Sequence, residues 1–515
     1  MRCLAALFSE GGAALEARVW LSNKRLLDVG IAALVLVTLG LAYLATLAPS
    51  ITWANSGADS GDLVTAAATL GVAHPTGYPT YLLLAHLFQL LPLGDLAFRT
   101  NLLSVVAAIS AALCVYTIVW KLLALPVWRV SLAAGLAALG LGLSPVFWSQ
   151  AVVAEVHGLN TLFVGCILLF TLLATRCASA TAGWPGRFQA LIVGLALGNH
   201  VTVAFPAAVW LVAVGLRTPG LLRSRQLGRQ LAWVAAGLLV YLYLPLRAAA
   251  HPPVNWGDPY NLTGFWWTVS GQLYRKLAFG LPTVFLYGRV GAWAALLVQQ
   301  FGWIGLALGL VGLLYGAAGD RLFVWLTAIV ALALSVFAVL YDTADSYAYM
   351  IPAYLIFAIW IGLGVSVLLE AGARRLPRAA PLIAALLAGA LLWPALATIH
   401  QVDASRDNRA TTYAASVLAA APANALVVTS SDRDTFPLWY YHYALAKRRD
   451  IVVIVNPLLE FAWYRANLRA VYPTLQVPEG DDTPSVETIA ASNRGLSQVC
   501  WTDPDGEQVI ACAAR

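Results

Sequence analysis

Long apolar runs alternate with short polar connectors from about Ile31 to Ala397. A bilayer crossing needs about 20 apolar residues. On that measure the pattern predicts eleven spans, at about 29–49, 100–120, 129–145, 158–175, 188–199, 201–216, 231–247, 303–318, 322–341, 351–370 and 380–398. The pair 188–216 is too short for two full crossings, and "GNHVT" at its middle reads as the apex of a hairpin of short helices. Broken backbone at membrane depth is tolerated only against protein or a water-filled cavity. "YPTYLLLAHLFQLLPLG" (78–94) is apolar too, but His86, Gln89 and its bracketing prolines predict a helix lying along the interface. After about residue 400 the period changes. "ALVVTSSD" (425–432) and "DIVVIVNPLL" (450–459) read as buried strands either side of a helix, "TFPLWYYHYALAKR", which predicts a small α/β domain.

Charge orients this thread. Lys24 and Arg25 put the start of the first span in the cytoplasm, because cytoplasmic loops carry an excess of Lys and Arg. If 78–94 does not cross, Lys121, Arg129, Arg176, Arg187, Arg217, Arg223, Arg225, Arg229, Arg374, Arg375 and Arg378 all fall on the cytoplasmic side. If it crosses, all are exported, so we read it as non-spanning. The acids then sort to the outer face, and so does the C-terminal domain. Composition agrees: 60% of the 515 residues are hydrophobic and 11% charged, against about 25% charged in soluble domains. The net charge of +6 is accounted for by basic cytoplasmic loops and needs no nucleic-acid partner. No cleavable signal peptide is expected in the charged first 30 residues. Six cysteines show no metal spacing; Cys3, Cys114, Cys166 and Cys177 lie in or near apolar segments. Cys500 and Cys512 flank a turn between two short strands, and an exported domain would join them as a disulfide.

Four outward stretches carry the candidate chemistry. "ANSGADSGDLVTAAATLGVAHPTGYPTY" (54–81) follows the first span and holds Asp59 and Asp62 three residues apart. Carboxylates beside lipid are costly and usually functional. At this spacing one can hold a substrate while the other accepts a proton, although Asp59 or Ser60 could merely cap the helix that follows. "HPTGYP" is a stiff bend that could fix His74 and Tyr78 against a ligand, or simply turn. "SPVFWSQAVVAEVHGLN" (144–160) puts Glu155 and His157 at the mouth of a span, and His200 lies in the hairpin apex. "LRAAAHPPVNWGDPYNLTGF" (246–265) brings Arg247, Trp256 and Asp258, with Tyr274, Arg275 and Lys276 beyond. Trp beside acids suits sugar stacking and equally an interfacial aromatic belt, while Arg suits a lipid phosphate. No Walker loop, dinucleotide fingerprint, HExxH or CxxC cluster appears.

As a set, "DSGDLVTAAATLGVAHPTGYPTY", "AVVAEVHGLN", "NWGDP", "YDTADSYAYMIPAYLIFAIWIGLG" and "DRDTFPLWYYHYALAKRRDIVVIVNPLL" resemble a family of membrane proteins within the GT-C glycosyltransferase superfamily. That family, long catalogued as a membrane domain of unknown function, has protein O-mannosyltransferases as its animal members. The resemblance implies a mainly α fold: a polytopic transmembrane helical bundle of GT-C type, about eleven spans plus outer juxtamembrane helices, with a small extracytoplasmic α/β domain. The boundaries read 1–28 for a cytoplasmic N-terminus, 29–399 for the transmembrane catalytic domain and 400–515 for the extracytoplasmic domain.

The implied reaction is transfer of a sugar, mannose first, from a polyprenyl-phosphate donor to a hydroxyl of a protein, lipid or glycan acceptor on the outer face, with inversion. Asp59 and Asp62 occupy the positions of the catalytic acids, and Asp62 stands where relatives often carry Glu, so either could be the base. Thr76 stands where a second proline is usual. Arg99 matches an arginine near the acids, which the resemblance puts on the donor phosphate, and Glu155 the second luminal acid. His74 would lie beside donor or acceptor. No motif demands a cofactor; a divalent ion, if one binds, would sit at Asp59 and Asp62. The source reads as bacterial and the location as the plasma membrane. The runner-up is a transporter or flippase, which predicts inverted repeats and buried mid-span charge pairs; a third reading is an inactive sensor or scaffold.

Overall fold

The Ile351–Arg375 helix is apolar on every side, with Tyr354, Ile356, Ile359 and Ile361 all buried. A helix without a polar face must be surrounded, and this one forms the axis of the bundle. In the computed structural model, which describes residues 15–176, 184–217, 225–315, 320–479 and 483–514, the most apolar window of this span is 89% buried, against 17% for Arg225–Ala248 and Pro377–Val402. The latter are rim helices whose apolar surface is left for lipid. Close packing at the axis depends on glycine: a Cβ on Gly312 would lie 1.8 Å from the Trp360 carbonyl, and one on Gly364 2.0 Å from that of Leu308. Small residues let two helix backbones approach in a membrane, where apolar burial supplies no drive to associate.

Among the described residues eight helices are long and apolar enough to cross a membrane, and a ninth span is the pair Val127–Gly142 and Pro145–Ala151, bent by 69°. With the two shorter helices Gly186–Leu197 and Val201–Leu216, these match the eleven predicted runs. Two bounds differ for physical reasons. The 129–145 run breaks because Pro145 forces Ser144 into extended backbone (ψ 139°). The span expected at 303–318 belongs to a helix from Leu286 to Tyr315, kinked at Gly302 (φ 66°); Arg289, Gln299 and Gln300 interrupt its apolar pattern and hide its first half. The interfacial stretch is an 11-residue helix, Pro79–Gln89. At 1.5 Å per residue it reaches about 16 Å, half a bilayer core of about 30 Å. Cys3, Cys177, Arg223 and residues 1–14 of the 1–28 segment lie outside the described residues.

The C-terminal region carries a four-stranded sheet in the order β2-β1-β3-β4, built from Leu426–Thr429 (β1), Val452–Val455 (β2), Gln498–Thr502 (β3) and Ile510–Ala514 (β4). β1 pairs in parallel with β2 and β3, and β4 antiparallel to β3. The predicted strand–helix–strand unit is β1, the Asp432–Trp439 helix and β2. Cys500 and Cys512 face each other across β3 and β4 and form the expected disulfide.

Candidate active site at the domain junction

The Ser60–Thr69 helix is buried along most of its length beneath the C-terminal domain. Its start is possible only because residue 61 is glycine: a Cβ there would sit 2.7 Å from the Phe436 carbonyl carbon and oxygen. This packing sets the two acids in different surroundings. Asp62 is inside the helix and fully buried. Its Oδ2 accepts from the backbone N–H of His74 (3.0 Å) and pairs with His74 Nδ1 (2.7 Å), while Oδ1 accepts from Trp256 Nε1 (3.1 Å). Trp256 arrives because 252–258 zips onto the chain beside His74: Val72 N–H donates to Val254 O (2.8 Å) and Trp256 N–H to Val72 O (3.2 Å).

Asp59 stands at the N-cap position without capping the helix. Among the described residues its oxygens accept no hydrogen bond, and the imidazole Nε2 of His74 lies 3.9 Å away. Its side chain is 39% open to water although protein surrounds it. Burial raises the carboxyl above the ordinary aspartate range; His74 opposes that rise, and Asp62 and Asp345 add to it. For His74 burial opposes protonation, but the Asp62 hydrogen bond and the charges of Asp59, Asp62 and Glu155 outweigh it and take the imidazole up to about 9. His74 is therefore an imidazolium near neutral pH, held from behind by Asp62 and facing Asp59.

Other predicted residues gather around this core. Tyr78 packs edge-on to His74 (5.0 Å between centroids). Burial first, then Tyr274, Asp59, Glu155 and Tyr341, push its phenol far up. Burial, then the charges of Asp59, Asp432 and Asp62, raise the Tyr274 phenol well above its usual range. Glu155 is buried, and burial followed by the charge of Asp59 raises it well above its usual range, while the charge of His74 opposes that rise. His157, His200 and Tyr349 form a second cluster with centroids 5.5–5.9 Å apart, joined to the first through Tyr341 (5.0 Å from Tyr349).

Three arginines expected here are elsewhere or otherwise engaged. Arg99 donates to the carbonyls of Leu93, Gln89 and Gly94 (2.6, 2.7 and 3.0 Å) and clamps the loop after Pro79–Gln89. Arg247 donates to Leu70 O (2.7 Å). Arg275 is exposed on the turn after Tyr274. Asp258 closes a local turn, accepting from Asn255 Nδ2 (2.8 Å).

Two features were not singled out from sequence. Asp432, from the C-terminal domain, is open at its outer edge yet walled by protein; burial and then the charge of Asp59 push it up to about 6. Arg289 lines a cavity of about 230 Å³ with Trp293, Leu296, Val339, Tyr347 and Met350, and is held by Ser346 Oγ (2.7 Å) and Thr343 O (2.8 Å). An apolar chamber with one guanidinium at its wall suits an amphiphile with an anionic head. A charge within an apolar run was its only sequence signal.

The donor set does not fit a divalent cation. Both Asp62 oxygens are engaged by His74 and Trp256, leaving Asp59 alone, and among the described residues no three His, Cys, Asp or Glu side chains are arranged to share an ion.

The backbone as a whole superposes on a solved structure, ArnT from Cupriavidus metallidurans bound to undecaprenyl phosphate, with TM-score 0.60 at 14% identity, covering 92% of this chain and 93% of that one. Two family profiles also match: the N-terminal domain of protein O-mannosyl-transferase TMEM260 over residues 59–218, and TMEM260-associated domain 2 over 410–480. The chain has a GT-C fold and resembles the TMEM260 family. The mouse protein O-mannosyl-transferase TMEM260 is 28% identical over 473 residues, 85% of this chain and 64% of that protein. The Dictyostelium discoideum protein of the same name is 28% identical over 302 residues, 55% of this chain and 36% of its own length. The chain thus spans less than two thirds of these relatives. The first profile begins at Asp59, and together the two take in the acids, His74, Glu155, His157, His200 and Asp432.

Proposed function

We propose that the chain is a membrane glycosyltransferase that moves a sugar, mannose first, from a polyprenyl-phosphate donor to an acceptor hydroxyl, with Asp59 as general base. The observation that carries this reading is the division between the acids: Asp62 is consumed in orienting His74 and Trp256, while Asp59 is left unbonded, water-accessible and raised in basicity. A general base needs a free lone pair within reach of the proton it takes. The acceptor O–H gives its proton to Asp59 as its oxygen bonds to the anomeric carbon. The bond from that carbon to the phosphate oxygen breaks on the opposite face, so the lipid phosphate leaves with the electron pair and the configuration inverts.

The anionic leaving group calls for fixed positive charge. Arg289 is the residue we assign to it, because it shares its cavity with Tyr347, whose hydroxyl meets Ser56 Oγ (2.9 Å) in the turn that delivers Asp59. The His74 imidazolium adds positive charge beside Asp59 and opposes the rise that burial imposes on its carboxyl. The relatives named above are O-mannosyl-transferases and the structural neighbour holds undecaprenyl phosphate, which supports both the sugar and the lipid donor. We place the site and the C-terminal domain on the outer face of the plasma membrane, as the loop charges require.

The test is to supply detergent-purified protein with radiolabelled polyprenyl-phosphate mannose, polyprenyl-phosphate glucose and envelope extract. Label should pass from the mannose donor to a non-lipid product with inverted anomeric configuration. Retention of configuration, or label from neither donor, would count against the proposal.

A further inference from the structure

The loop that delivers Asp59 has an unfavourable shape. Asn55 and Ser56 are both left-handed (φ 58° each), a conformation that costs L-residues free energy and persists only where the surroundings impose it. What imposes it comes from the far end of the sequence. Asp407 lies between the Pro394–Val402 helix and the C-terminal Arg409–Ala420 helix. Its Oδ2 accepts from Thr52 Oγ1 (2.5 Å), Ala54 N–H (2.9 Å) and Trp53 N–H (3.1 Å). Its Oδ1 accepts from Arg409 Nε (2.6 Å). Beside it, Asn55 Nδ2 donates to Val402 O (2.8 Å), and Ala404 N–H donates to Thr46 O (3.0 Å). On the other side Gln150 Nε2 donates to Asn55 O (3.0 Å) and Ser56 Oγ meets Tyr347 Oη (2.9 Å).

We propose that Asp407 is a positioning residue for Asp59: by gathering three donors from residues 52–54 it holds the 54–59 turn in the shape that aims the Asp59 carboxylate at His74 and the open recess. The C-terminal domain then does more than cover the site. Displacement of the 402–409 junction is transmitted chiefly through the Asp407 carboxylate, which takes three of the junction's bonds to 52–54, to the catalytic base. Asp407 is 9% exposed along its side chain. Although burial opposes ionisation, the bonds from Arg409, Thr52 and Ala54 hold it well below the usual carboxylate range, so it is a carboxylate near neutral pH. Asn in its place could offer only one acceptor oxygen where two are used, and would present an N–H₂ to backbone N–H donors.

The inference rests on the reading of Asp59 as base, and the experiment separates the two. Asp407→Asn and the milder Thr52→Val are compared with wild type and with Asp59→Asn in the full-length detergent-solubilised protein. Carbodiimide labelling of Asp59 across a pH series is read by residue-resolved mass spectrometry, with Asp505 as a surface reference, and needs no substrate. Turnover of polyprenyl-phosphate mannose is measured alongside. Asp407→Asn should move the Asp59 labelling midpoint by roughly half a pH unit or more and Thr52→Val should move it less in the same direction, with melting temperature near wild type. Turnover should fall roughly tenfold or more with the donor KM unchanged, as misplacement of a reacting group predicts.

An unmoved midpoint in both variants overturns the proposal. So does a midpoint that moves only in step with a fall in melting temperature, since that is a purely structural role. Should Asp407→Asn fail to fold, the Thr52→Val midpoint decides alone. Turnover that survives Asp59→Asn would sink the base assignment and leave the labelling result standing as a statement about position.

Discussion

If Asp59 is the base, its raised pKa fixes the acid side of the pH profile. The carboxylate must be ionised to accept a proton, so kcat/KM should climb as pH rises through a midpoint above the ordinary aspartate range. His74 is charged below about 9; activity that depends on the imidazolium should be full below that value and fall as pH passes it. Asp62→Asn removes the bond that raises His74 most, so the alkaline limb should move to lower pH, with a loss of about tenfold to a hundredfold from misplacing the ring. Arg289→Ala should raise the donor KM by about tenfold or more, the scale of a lost charge-assisted hydrogen bond, and leave both limbs in place. A pH series on the three proteins checks all of these. The acids and His74 were legible because charge beside lipid is expensive and the chain keeps it there. Their division of labour was not, because it depends on Trp256, 194 residues away, reaching Asp62. Arg99 shows the converse: a guanidinium at the start of a span looks free in sequence until the fold shows three carbonyls around it.

Helices were legible wherever an apolar run was unbroken. The first half of Leu286–Tyr315 was lost because Arg289 and two glutamines interrupt it, and those interruptions mark a cavity wall. The bend at Ser144 could have been read from Pro145, which biases its predecessor to extended backbone. Contacts between elements leave fainter traces. Gly61 looks like turn composition, yet its missing side chain is what admits the Phe436 backbone. Gly61→Ala should therefore separate the Ser60–Thr69 helix from the C-terminal domain and cost about 1–3 kcal/mol, the range for overpacking. Thermal unfolding monitored in detergent should show the loss, with turnover falling alongside. A Gly61→Ala variant as stable and active as wild type would mean that the domain contact is loose.

The whole molecule joins a helical bundle to an α/β domain, and the site lies where they meet. Asp59, Asp62, His74 and Glu155 come from the bundle side, Trp256 from the long loop, and Asp432 with Phe436 from the C-terminal domain. Both parts and the Cys500–Cys512 pairing were legible in the sequence, but the contact between them was not, since nothing local says that the Asp432–Trp439 helix abuts the acids. Replacing both cysteines by serine opens a loop with a sequence separation of 12 residues and should cost about 2–4 kcal/mol of that domain's stability, lowering its unfolding temperature. At temperatures where the domain stays folded, turnover should be unchanged, because the disulfide lies on the outer strand pair.

The most direct test of the central claim is the rate of label transfer from polyprenyl-phosphate mannose in Asp59→Asn, with melting temperature confirming the fold. Loss of a general base predicts a fall of about two to four orders of magnitude with donor binding intact. Transfer at the wild-type rate in a folded Asp59→Asn protein would contradict the account and move the chemistry to another residue.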